Sequence, residues 1–143
     1  MHSNFHKLWL KIAAVIIAAF GPIFFLGTME SWSEAARWSL DLLSWPIDGQ
    51  QSYADPTTRF LSALTGGFLF GWGVMVWSLS GAVYDAAPEA VRKAFLTGVL
   101  AWFVLDSAGS VTSGNASNVL FNILVLISIV GPMWLPAKNP SNQ

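Results

Sequence analysis

The chain has no cysteine, only two histidines among 143 residues, and charge on only 10% of them. The missing thiols exclude disulfides, thiolate-held metals and iron–sulfur clusters, and they leave the redox compartment unread. Both histidines, His2 and His6, precede the first apolar run, so no histidine pair can hold a haem between membrane helices. Charge this sparse lies well below the ~25% of soluble domains. A net charge of -1 offers no basic footprint for nucleic acid. No phosphate-cradling glycine motif is present, since Gly66-Gly67 sits inside an apolar run.

What the chain does contain is hydrocarbon: 54% of it is hydrophobic and the mean hydropathy is +0.53. Its length fits about one domain. Apolar runs over 8–29, 58–80, 90–111 and 116–135 each approach the roughly 20 residues that cross a bilayer as a helix. The expected fold is all-α: one integral membrane four-helix bundle spanning 1–143. The flank of the first run (His2, His6, Lys7, Lys11) mimics the positive region of a signal peptide. The run is long for that, however, and no small-x-small cleavage site follows, so a retained first helix is expected. Gly21-Pro22 predicts a kink in it, either a plain packing feature or a hinge of the kind transporters use.

The only sizeable polar region is 30–59. At about 100° per residue, Ser33, Glu34, Arg37, Asp41 and Ser44 fall on one arc, and Trp32, Ala35, Ala36, Trp38, Leu40, Leu42, Leu43 and Trp45 on the other. Glu34 and Asp41 flank Arg37 at helix-supporting spacing, and Pro46 stops the helix near Trp45. An amphipathic helix over 31–45 is therefore expected in the membrane interface. Trp32, Trp38 and Trp45 form either a cap over the protein's own helices or a docking surface for a partner. Residues 48–57 read as a loop. In the second run Ala63, Gly67 and Gly71 recur every four residues, a small-residue stripe expected to admit a neighbouring helix, with Ser62, Gly66 and Gly73 beside it. Residues 81–92 read as a short loop whose Pro88 and Glu89 suit the start of the third helix, and 137–143 as a polar tail.

Four spans put both termini on one side, with Lys7, Lys11, Arg92, Lys93 and Lys138; the other side has only Arg37 and Arg59. The positive-inside rule then predicts cytoplasmic termini, with the amphipathic helix outside.

The chemistry concentrates in the hairpin over 99–126. Folding about Gly114 places Asp106 opposite Asn122 and Ser110 opposite Asn118, with Asp106 roughly 8 Å inside the membrane at about 1.5 Å per residue. A carboxylate at that depth is costly unless paired. Arg59 starts the second span from the same face and is a candidate partner. Two readings stand side by side: a polar clamp that fixes helix register, or a pocket lined by Asp106, Ser110, Asn118 and Asn122. No catalytic residue is indicated, because no serine–histidine–acid set can assemble and only one acid lies within the membrane. One carboxylate with two amides cannot hold a redox metal securely, so neither metal nor cofactor is expected. Trp72, Trp77 and Trp102 suit a quinone, carotenoid or sterol, and equally suit ordinary lipid.

The segments RFLSALTGGFLFGWGV at 59–74 and WFVLDSAGSVTSGNASNVLFN at 102–122 resemble those of small, largely uncharacterised bacterial four-helix membrane proteins, loosely the DoxX-like families. The resemblance covers about half the chain and carries no catalytic motif. It implies a four-helix bundle in a bacterial inner membrane. The functional expectation is a non-catalytic accessory or assembly subunit of a larger membrane complex or homo-oligomer, with membrane lipids as partners. The alternative is a binding or transport protein for a lipid-like or small polar molecule at Asp106. A proton-moving isomerase is a third, and four short helices leave little room for alternating access in a monomer.

Overall fold

The structure, a computed structural model, describes residues 2–137. The described residues form six α-helices and no strand: α1 (His2–Leu26), α2 (Glu34–Leu43), α3 (Pro56–Leu79), α4 (Ala82–Ala86), α5 (Pro88–Thr112) and α6 (Ser117–Val130). Short 3-10 turns at Glu30–Trp32 and Gly131–Trp134 precede α2 and follow α6. The spans Asn4–Leu26, Pro56–Leu79, Pro88–Thr112 and Ser117–Trp134 are long and apolar enough to cross a membrane. Their outward faces agree, with Phe68 76% and Leu105 78% exposed. Side chains that greasy suit hydrocarbon and not water. The chain is an all-helical, membrane-spanning four-helix bundle with a short amphipathic helix between its first two spans. Two expectations need adjustment here. α5 begins at Pro88, as its proline and Glu89 suggest, but the residues before it form the short helix α4 in place of a loop, and the polar tail with Lys138 lies, beyond Ala137, outside the described residues.

α1 is the central helix, packing against α3, α6 and α2, while α5 packs chiefly on α6. The α1–α3 seam is the closest contact in the molecule. On α1 the seam is Leu10, Ala14, Ile17, Gly21 and Phe24, and on α3 it is Ser62, Gly66, Leu69, Gly73 and Val76, continued by Ser80 just past the helix end. Both sets alternate steps of three and four, the spacing that keeps one stripe facing a partner in left-handed pairing. A Cβ on Gly73 would lie 2.7 Å from the Ala14 carbonyl oxygen, and one on Gly66 would lie 2.8 Å from that of Gly21. Gly21 is equally constrained, 3.0 Å from the Gly66 carbonyl oxygen. α1 runs on as helix through Gly21-Pro22, and Gly21 serves close packing there.

The stripe of Ala63, Gly67 and Gly71 is a correction. All three are exposed, and a Cβ on Gly67 or Gly71 would meet nothing within 4 Å. A strict step of four advances about 400° per repeat on a helix of 3.6 residues per turn, so it drifts around the surface, whereas the 3–4 alternation stays in register.

The end carrying α4 is held by polar contacts. His6 Nδ1 and the Tyr84 hydroxyl share a buried hydrogen bond of 2.9 Å, and Lys7 pairs with Asp85 at 2.8 Å. Arg92 donates to both carboxylate oxygens of Glu89 and to the Met133 carbonyl at 2.8 Å, and Glu89 also accepts from the Ala137 amide at 3.0 Å. Burial pushes the Tyr84 hydroxyl above its ordinary pKa. Gly131, at φ +43°, turns the chain beneath Trp9, whose indole N–H donates to the Ile129 carbonyl at 3.1 Å. A side chain on Gly131 would suffer both a left-handed backbone and a collision with the Trp9 ring.

Candidate ligand cavity at Asp106

The opposite end of the bundle is built from small hydrogen bonds. Ser117 Oγ donates to the Leu43 carbonyl at 2.7 Å and accepts from the Trp45 amide at 3.0 Å. Ser44 bonds the Asn115 side chain, so the end of α2 is tied to the α5–α6 bend. Asp41, buried in α2, accepts the backbone N–H of Asp48 and Gly49 and shapes the loop that follows. The polar arc of α2 thus faces partly inward, while Trp32, Trp38 and Trp45 stand more than half exposed. They do not cap this protein's own helices, because the space over the bundle goes to Ser33, Ala36, Ser39 and Asp41.

Beneath that roof the four spans do not close completely. α3 and α5 keep their backbones apart, and Trp72 meets Trp102 between them with ring centroids 6.3 Å apart. Toward α2 from that contact lies a cavity of about 240 Å³, far above the roughly 15 Å³ that one water needs. Its walls are apolar and aromatic (Phe20, Phe24, Leu69, Trp72, Trp102, Phe121), and its polar side chains are Thr65, Asp106, Asn118 and Asn122. A second chamber of about 400 Å³ lies under α2 and the bend, reaching Gln51 and Asn115. Leu43, Asp106 and Asn118 line both chambers, so Asp106 stands where the apolar space meets the polar one.

The hairpin ladder is present with one rung shifted. Asn118 Nδ2 donates to Ser110 Oγ at 2.9 Å, the pair the sequence places at equal depth. Asn122 Nδ2 donates to Ser107 Oγ at 3.1 Å, not to Asp106. The reason is helical phase: neighbouring residues on a helix differ by about 100°, so Ser107 turns to Asn122 while Asp106 lines the cavity with Trp102 and Gly109. Depth along a hairpin can be read from sequence spacing, but facing also needs the azimuth. Ser107, Thr65 and the Trp72–Trp102 contact were not singled out as a site, although the i, i+3 spacing of Ser107 and Ser110 on the helix before the bend carries the signal.

Arg59 is the second correction. Its guanidinium donates to the Tyr53 and Ala54 carbonyls at 3.2 and 3.1 Å and lines neither chamber. Pairing with those loop carbonyls wins because Arg59 sits one turn into α3, level with the loop. The Asp106 carboxylate is left without a hydrogen-bond or ion-pair partner among the described residues and faces the cavity. Only its backbone carbonyl is engaged, accepting from Ser110 Oγ at 2.8 Å. Among the described residues no group of three or more histidine, cysteine, aspartate or glutamate side chains converges on a metal position. No protein-family model, no curated protein and no solved structure matches this chain.

Proposed function

We propose that this chain is a non-catalytic membrane protein that binds a small lipid-like molecule inside its bundle, at the junction marked by Asp106. One observation carries the reading: an apolar chamber of about 240 Å³ and a more polar one share a wall at an unpaired carboxylate. Pockets for small molecules combine mostly apolar walls with a few convergent polar groups, and ionisable side chains inside a membrane are expensive enough to mark function. The clamp reading explains Ser110–Asn118 and Ser107–Asn122, but it does not use the Asp106 carboxylate. The termini are assigned to the cytoplasm of a bacterial inner membrane, which puts α2 and the outer chamber on the far face; the distribution of lysine and arginine supports this.

The accessory-subunit reading draws on a separate observation, the exposed tryptophans in and beside α2, Trp32, Trp38 and Trp45. It is compatible with a ligand, because the tryptophans point away from the cavity. The test of the binding reading is purification in mild detergent followed by native mass spectrometry and solvent extraction. A co-eluting small molecule is expected. Val125→Trp, which fills the inner chamber, should lose it while melting within a few degrees of the native protein. Retention of the same molecule by a folded Val125→Trp protein would refute the assignment to this cavity.

A further inference from the structure

Asp106 is the only ionisable side chain that lines the inner chamber. Thr65 Oγ1 donates to the Leu61 carbonyl at 2.8 Å, so its hydrogen is turned along its own helix. Asn118 and Asn122 each give one amide N–H to Ser110 and Ser107. Ser110 has already given its own hydrogen to the Asp106 carbonyl at 2.8 Å and can only accept from Asn118, which fixes that amide's orientation. The Thr65 lone pairs, the two amide oxygens and both oxygens of the Asp106 carboxylate remain as acceptors, and the one charge on the wall is an acid's. Nor do the described residues supply a cation to it, since no lysine or arginine lines the chamber. Arg59 is bound to loop carbonyls, Arg37 pairs with Glu34, Lys11 lies over the Trp77 ring, and Lys7, Arg92 and Lys93 pair with acids at the other end.

We infer that the chamber takes an amphipathic primary amine, its ammonium group at Asp106, Asn118 and Asn122 and its hydrocarbon tail along Phe20, Phe24 and the Trp72–Trp102 pair. The inference rests on the binding reading above and adds the class of ligand. An ammonium group brings three donors and a positive charge, which suits a carboxylate flanked by amide oxygens. It also gives the half-buried, unpaired carboxylate a counter-charge, and breaking up such a pairing in low dielectric is costly. A neutral alcohol offers one donor, a quaternary ammonium offers charge without any N–H, and a fatty carboxylate meets like charge. The aromatic faces beside the head group add attraction for a cation.

The test uses the full chain in a maltoside detergent and measures equilibrium binding of n-decylamine, n-decanol, decyltrimethylammonium and n-decanoate. Binding to Val125→Trp is subtracted as the micelle background. Decylamine should bind at least tenfold more tightly than decanol or decyltrimethylammonium, and decanoate should not bind. Asp106→Asn should weaken decylamine at least tenfold and leave decanol unchanged. Equal affinity for decylamine and decanol in the native protein overturns the amine inference and leaves the cavity reading standing. If none of the four binds above background, the cavity reading fails and takes the inference with it. Should Asp106→Asn not fold, the ranking of the four ligands on the native chain decides alone.

Discussion

Replacing Gly73 with alanine should loosen the bundle, and replacing Gly67 with alanine should not. The added Cβ at Gly73 would sit 2.6 Å from Ala18 Cβ, 2.7 Å from the Ala14 carbonyl oxygen and 2.8 Å from the Ala18 nitrogen. Two of those atoms are backbone, so no rotamer change relieves the clash. Reaching ordinary contact at 3.4 Å requires α1 and α3 to part by about 0.7 Å. A gap of that order forfeits roughly a quarter to a half of the dispersion energy of each contact it opens. Overpacking of this kind costs about 1–3 kcal/mol, and rigid backbone on the far side argues for the upper end. Alanine returns up to about 1 kcal/mol of helix propensity at either position, so comparing the two variants cancels that gain and isolates packing. A difference of about 3 kcal/mol corresponds to roughly 10 °C in apparent Tm, on the usual scale for a chain of this size. The measurement is thermal unfolding of both variants in one detergent, followed by tryptophan fluorescence and circular dichroism. Equal melting of Gly73→Ala and Gly67→Ala would refute the α1–α3 seam and restore the stripe through Gly67.

For the orientation in the membrane, cysteines placed at Ser52 and at Ala86 of α4 should react differently with an impermeant thiol reagent applied to intact cells. Labelling at Ser52 alone is expected, and labelling at Ala86 alone would invert the assignment. Acid should fray the start of α3. Asp55 caps that helix by accepting the Thr58 N–H at 2.9 Å, which holds its pKa below the ordinary 3.8. Because the folded value is the lower one, the cap contributes fully above the ordinary value and is lost as pH falls through the depressed one. The protection of the amides at 57–59, taken relative to their intrinsic exchange rates at each pH, should therefore fall on acidification in the native protein and show no such step in Asp55→Asn, which caps without titrating. An unchanged step in the variant would assign the acid response to another group.

The spans and the amphipathic helix are legible in the sequence because hydropathy and the 3.6-residue period are local properties. α2 ends one or two residues from where Pro46 and the tryptophan pattern place it, and the rung between Ser110 and Asn118 follows from counting back from Gly114. What spacing alone does not settle is azimuth. Asp106 and Ser107 lie at nearly the same depth, yet one faces the cavity and the other faces α6. Gly66 and Gly67 are adjacent, yet only Gly66 touches α1. The lock of His6, Lys7, Glu89 and Arg92 depends on residues far apart in the chain, such as His6 and Tyr84, and no periodic pattern announces such a meeting. Arg59 was assigned to the nearest acid along the membrane normal, whereas unpaired loop carbonyls one turn away were closer.

The two serine–asparagine rungs bear on how such a chain enters a bilayer. Both rungs close between α5 and α6, helices joined by a bend of only a few residues. An asparagine delivered alone into hydrocarbon carries unsatisfied amide hydrogens at a cost of several kcal/mol. Here each asparagine finds its serine within its own hairpin, so the pair can leave the insertion machinery with those donors already engaged. α1 and α3 form a matching first hairpin whose seam needs nothing from the second. Assembly then reduces to docking two finished hairpins through α1 and α6. The Asp106 carboxylate is the one ionisable group that this order of events leaves lining the cavity between them.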